Sequence, residues 1–116
     1  EIEALQHSGS MQHDERMSRM VDLTNSSILT DDDWKRFREL FDQVYPGIFI
    51  RLKEKMPDLT PGEIRLLALT KLQITPRDMA GMLGISADSI KKTRHRLRRK
   101  INLPEDGTLD EVVAMI

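Results

Sequence analysis

Seven Lys and Arg side chains fall within ten residues: Lys91, Lys92, Arg94, Arg96, Arg98, Arg99 and Lys100, with His95 among them. On a helix such a run repels itself, at a cost of tenths of a kcal/mol per like-charged i,i+4 pair. A partner outside the domain has to offset that cost, and a polyphosphate is the natural one. The other chemistry-bearing residues offer less. Asp31, Asp32 and Asp33 follow Thr30, as an acidic first turn follows an N-cap, and suit the positive end of a helix dipole. His7, His13 and His95 are too far apart in the chain to argue for one metal site. There is no cysteine, no glycine-rich phosphate loop and no recognisable nucleophile–base pattern. The residues therefore point to a binding protein and away from an enzyme, with no metal or cofactor expected.

The formal net charge of −1 by itself argues against a polyanion binder, but its distribution points the other way. Residues 1–60 carry −4, residues 61–103 carry +7 and residues 104–116 carry −4. Segregation of this kind predicts one basic face. At 116 residues, with 39% hydrophobic and only 4% aromatic side chains, the chain can bury one small, mainly aliphatic core. No apolar run approaches the roughly 18 residues of a membrane span, and no signal-peptide pattern opens the chain. The absence of cysteine is compatible with a reducing cytoplasm, the expected location. Beginning at Glu1 and not at Met, the chain reads as a piece of a longer protein.

Pro and Gly divide the sequence into short helices, and no segment shows the period-2 alternation of a strand. Residues 1–29 read as a polar arm, with a weak amphipathic helix carrying Met17, Met20 and Val21. Residues 30–57 read as a helical hairpin. Its first helix, capped by Thr30, aligns Trp34, Phe37, Phe41, Val44 and Tyr45; its second carries Ile48, Leu52 and Met56. Residues 58–116 read as four helices. Thr60-Pro61-Gly62-Glu63 is a capping box with proline at the first helical position, opening a helix expected to be the most buried. Thr75-Pro76-Arg77-Asp78 repeats that grammar, and Gly84 closes the short helix it opens. Ser86 caps the basic helix at about 87–101, and Thr108 caps a last helix. The fold class is all-α, a helical hairpin or arm followed by a four-helix domain.

Spacing within 76–101 narrows the reading. A small residue where two helices cross, a turn residue tolerant of a left-handed backbone and an aliphatic anchor on the second helix are what a helix-turn-helix requires. Ala80, Gly84 and Ile90 supply them, with Met79, Leu83 and Ile85 as further apolar contacts. The second helix buries Ile90, Leu97 and Ile101 and offers the rest outward. In such a motif the N-terminal part of the second helix lies deepest in the major groove. Lys91, Lys92 and His95, with Asp88, are therefore the expected base contacts. Thr75, Arg77, Ser86, Ser89, Arg96, Arg99 and Lys100 are the expected phosphate contacts.

These residues resemble a family. Leu59-Thr60-x2-Glu63, Ile74-Thr75-x2-Asp78-Met79-Ala80-x2-Leu83-Gly84-Ile85-Ser86-x2-Ser89-Ile90-Lys91 and Leu97-x2-Lys100-Ile101 look like the LuxR-type (GerE-like) DNA-binding domain over about residues 58–116. The chain departs from it at Thr93, where the family commonly has His, and at Asp78-Met79-Ala80, where Glu-Ile-Ala is usual. The stretch Leu29-Thr30-x3-Trp34-x2-Phe37, Tyr45-Pro46-x2-Phe49 and Arg51-Leu52 is similar to the C-terminal output regions of Bacteroidetes sensor-regulators. The resemblance implies a four-helix domain with its third helix in the major groove. It further implies the output end of a larger sensor, which in full length can be membrane-anchored although this segment makes no membrane contact.

The expected activity is sequence-specific transcriptional regulation on double-stranded DNA. The expected assembly is a homodimer, paired through Leu109, Val112, Val113 and Ile116 of the last helix and through the Met17–Val21 helix. RNA polymerase is a further candidate partner. Two alternatives share the residues: a helical interaction module docking its basic helix on an acidic protein, and a sigma-factor-like promoter-binding domain. The extra capped helix after residue 108 favours a free-standing regulator over the latter.

Overall fold

The computed structural model describes residues 13–104 and 107–116. The expectation of a polar arm over residues 1–12 lies outside them. The described residues form seven helices and no strand: α1 (His13–Thr24), α2 (Asp31–Val44), α3 (Ile48–Lys55), α4 (Pro61–Lys71), α5 (Pro76–Leu83), α6 (Ala87–Lys100) and α7 (Leu109–Ala114).

Five of the seven helix starts are set by side-chain caps. Thr30, Thr60, Thr75, Ser86 and Thr108 each accept the amide of the residue three further on, satisfying a donor that has no partner inside its helix. At α2 and α4 the bond is reciprocated: Asp33 and Glu63 accept the Thr30 and Thr60 amides. The ends of α4, α5 and α6 close on left-handed residues, Gln73 (φ 63°), Gly84 (φ 66°) and Asn102 (φ 54°). In each case the following amide returns to the carbonyl five residues earlier, Ile74 to Leu69, Ile85 to Ala80 and Leu103 to Arg98.

One core runs through the chain. Phe37, Phe41 and Val44 of α2, Ile48 and Leu52 of α3, the run Leu66–Leu69 of α4, Met79 and Met82 of α5, Ile90 and Leu97 of α6, and Leu109 and Val113 of α7 are all buried in one cluster. Leu23 and Ile28 join it, so α1 and the segment after it contribute to the same core as the hairpin and the four-helix segment. As expected, α4 is the most buried helix, with apolar residues inward over most of its circumference. An aromatic chain ties α2 to α3: Phe41 packs on Tyr45 and Phe49, and Trp34 meets Phe49 edge-on at 5.9 Å. Arg65 of α4 stacks over Trp34 at 5.1 Å and Lys71 over Tyr45 at 5.1 Å, joining the two halves.

Three apolar assignments change. On α1 the inward face is Leu23 with Met20, whereas Met17 and Val21 are 49% and 54% exposed. On α7, Leu109 and Val113 are buried against this chain's own core and so are not offered to a second copy. At the turn after α5, Ile85 is 44% exposed, and Met82 fills an inward position instead. On both helices the 3.6-residue period holds; on α1 the phase, and on α7 what covers the expected face, is set by neighbouring helices that periodicity does not reveal.

Candidate nucleic-acid interface

The α5–α6 pair is built on Gly84. Its left-handed backbone turns the chain, and the amides of Gly84 and Ile85 converge on the carbonyl of Ala80. A Cβ at Gly84 would lie 2.6 Å from Cδ2 of Leu29, an exposed side chain that would have to move aside, and the left-handed backbone itself disfavours any side chain there. Ile28, next to Leu29, braces the motif as well: its amide donates to the Met82 carbonyl at 2.7 Å, and its side chain is buried. Ala80 is partly buried against the core, and Ile90 anchors α6 with 1% of its surface exposed.

Burial orients α6. Ile90 and Leu97 are buried, and Thr93, Arg94, Arg98 and Ile101 are half-buried beside them. At about 100° per residue, Asp88, Lys91, Lys92, His95 and Arg99 fall in one arc opposite that face, and all five are exposed. Ser89 and Arg96 flank the arc and are exposed as well. Thr75, Arg77 and Ser86, near the first turns of α5 and α6, are also exposed. Ser86 donates its hydroxyl hydrogen to Oγ of Ser89 at 3.0 Å while accepting the Ser89 amide, so the two hydroxyls form one polar cluster at the start of α6.

The seven cations of α6 divide by what holds them. Lys100 turns inward: its Nζ lies 2.7 Å from Oε1 of Glu63 and donates to the Asp58 carbonyl at 2.9 Å. This revises its expected place among the phosphate contacts, because the ammonium is committed to a carboxylate only 2% exposed. Arg98 also turns back, donating to the carbonyls of Gly107 and Pro104 and tying the end of α6 to the loop before α7. Lys92 pairs with Asp88 at 3.2 Å, and Arg96 donates to Thr93 at 3.3 Å; both contacts are solvent-exposed and weak. Lys91, Arg94, His95 and Arg99 make no hydrogen bond or ion pair among the described residues, and Lys91, His95 and Arg99 project from the exposed arc.

Burial works against ionisation of Glu63, but the Lys100 ammonium together with the Thr60 amide and hydroxyl overcomes it and holds the carboxyl below its usual value. In the sequence Glu63 belongs to the capping box alone. Nothing local indicates that a residue 37 positions later completes its shell. The Leu29–Gly84 contact has no local signal either.

Two of the three acids at 31–33 lie beside partners within the chain. Asp33 accepts the Leu29 and Thr30 amides and pairs with Arg36; the Leu29 amide is the main cause of its lowered pKa. Asp31 lies 3.7 Å from Arg65. Among the described residues no group of three or more His, Cys, Asp or Glu is placed to hold a metal ion, and no helix is long and apolar enough to cross a membrane. Comparison of the chain with protein-family models, curated proteins and solved structures finds no match to any of them.

Proposed function

We propose that this chain binds double-stranded DNA, with α6 in the major groove, as the output end of a cytoplasmic transcriptional regulator. The observation that carries the reading is the exposed arc Lys91, Lys92, His95 and Arg99, on the second helix of a pair joined by a left-handed Gly84. A helix with its apolar side anchored and its basic arc exposed fits a groove about 12 Å wide. The arc also sorts into two roles. Near the N-terminus Lys91 and Lys92 suit guanine O6 and N7, while Arg99 and Arg96, farther along, together with Arg77 and the hydroxyls of Thr75, Ser86 and Ser89, suit phosphate oxygens. The likeness of residues 58–116 to the LuxR-type domain supports the same placement.

Methylation interference tests the groove assignment. Duplexes bound by the chain should be depleted of molecules methylated at guanine N7, which lies in the major groove, and not of those methylated at adenine N3, which lies in the minor groove. The opposite pattern would overturn it.

A further inference from the structure

Asp88 is the lone acid of α6, and it stands on the helix's exposed basic arc. It is exposed, shares the arc of Lys92, His95 and Arg99, and its carboxylate lies 3.2 Å from the Lys92 ammonium. A carboxylate in this place works against binding to any polyanion, since it subtracts charge where the helix would meet phosphates. An acidic first turn favours helix formation, but an acid at position 87 or 89 of the same turn would serve that role without standing on the exposed arc. The exposed arc thus carries a group that general DNA affinity does not call for.

We infer that Asp88 is a specificity-determining residue, admitting duplexes that present a cytosine to the first turn of α6 and rejecting others. This inference rests on the DNA reading above. Of the four bases, cytosine alone shows the major groove a donor with no acceptor beside it on the same base, the N4 amino group. A carboxylate accepts from it and is left unpaired against guanine O6 and N7 or thymine O4. The ion pair gives the second half of the code. Asp88 and Lys92 are four residues apart, about 6 Å along the helix, or roughly two base-pair rises of 3.4 Å. When Asp88 turns to a cytosine, Lys92 is released to a guanine one or two pairs away. In the free protein the two side chains partly neutralise each other, and a duplex offering both partners replaces this exposed, weak pair with two base contacts. The ligand class is therefore duplex DNA with a cytosine and a guanine within two base pairs of each other at the α6 contact.

The test is selection of bound duplexes from a randomised library, followed by titration of the selected and random duplexes, for the wild type, Asp88→Ala and Asp88→Asn. The wild type should select cytosine at one position. Asp88→Ala should lose that preference, bind random duplex more tightly, and lower the ratio of selected to random affinity roughly tenfold or more. Asp88→Asn should move the preference from cytosine to adenine, because an amide pairs with adenine N6 and N7. Identical base preferences in all three proteins would overturn the inference while leaving the DNA reading intact. Failure of the wild type to bind any duplex would sink the reading itself. Thermal melts of the two variants show whether a change in affinity reflects helix fraying.

Discussion

Replacing Lys100 by Met tests how α6 is held to the body of the protein. The substitution keeps most of the aliphatic stem and removes the ammonium. It leaves Glu63, 2% exposed, as a carboxylate with only the Thr60 amide at 2.9 Å and the Thr60 hydroxyl near it. A hydrogen bond to a charged group contributes about 1.5–3 kcal/mol. The lower half of that range applies, because the Lys100 side chain is 34% exposed and water can partly replace it. The expected loss is about 2 kcal/mol. Glu63→Gln keeps an acceptor for the Thr60 amide but loses the charge, and should cost about 1 kcal/mol. The double variant should fall short of the sum by about 1 kcal/mol, the coupling of two contacting groups. The pH dependence has a definite sign. Because the folded carboxyl is lowered, its contribution is complete above the ordinary carboxylate value near 4.5 and is lost as pH falls through the lowered one. Glu63→Gln should flatten that acid limb, and Lys100→Met should flatten it as well, because the folded carboxyl loses the ammonium that holds it below its unfolded value. Urea denaturation at neutral and acid pH measures all of this. A coupling energy near zero would refute the reasoning. So would a Lys100→Met variant of unchanged stability whose DNA affinity responds less to salt, since that is the behaviour of a phosphate contact.

Gly84→Ala should destabilise by about 1–2 kcal/mol through the left-handed backbone alone, with Leu29 displaced, whereas Gly84→Val should distort the turn; an unchanged thermal melt of either would contradict the geometry. Gln73→Gly should stabilise by roughly 0.5–1 kcal/mol by relieving a non-glycine residue at φ 63°, and a lowered midpoint in urea would refute that. Lys91→Ala should relax preference at one base pair at a cost of roughly 1–3 kcal/mol on the best site, read by titrating single-base variants of that site. Arg99→Ala should weaken all duplexes alike and reduce the salt slope by about 0.9, so a loss confined to one sequence would contradict its assignment to phosphate.

Features that depend on near neighbours are legible in the sequence. Thr30, Thr60, Thr75, Ser86 and Thr108 act three residues downstream, and Gly84 acts on its own backbone, so the helix starts and the turn can be read directly. The inward face of α2 follows from its period, and so does the exposed arc of α6, which is what remains once Ile90 and Leu97 are anchored. Long-range partners are not legible. Lys100 reads as one more surface cation until Glu63 is brought beside it, and Leu109 and Val113 read as a free apolar edge until α4 covers them. The phase of α1 is hidden for the same reason: Met17, Met20, Val21 and Leu23 allow more than one inward face, and packing against α2 selects Met20 and Leu23.

If α6 binds duplex DNA through the charges left free on its outer arc, the salt dependence of affinity reports it most directly. With Lys100 and Arg98 turned inward, about three to four phosphate contacts remain for Arg77, Arg96, Arg99 and a neighbouring lysine. Fluorescence anisotropy of a labelled random duplex should then show affinity falling roughly 40- to 150-fold between about 50 and 200 mM salt. No binding at about 50 mM salt, or an affinity indifferent to salt, would contradict the account.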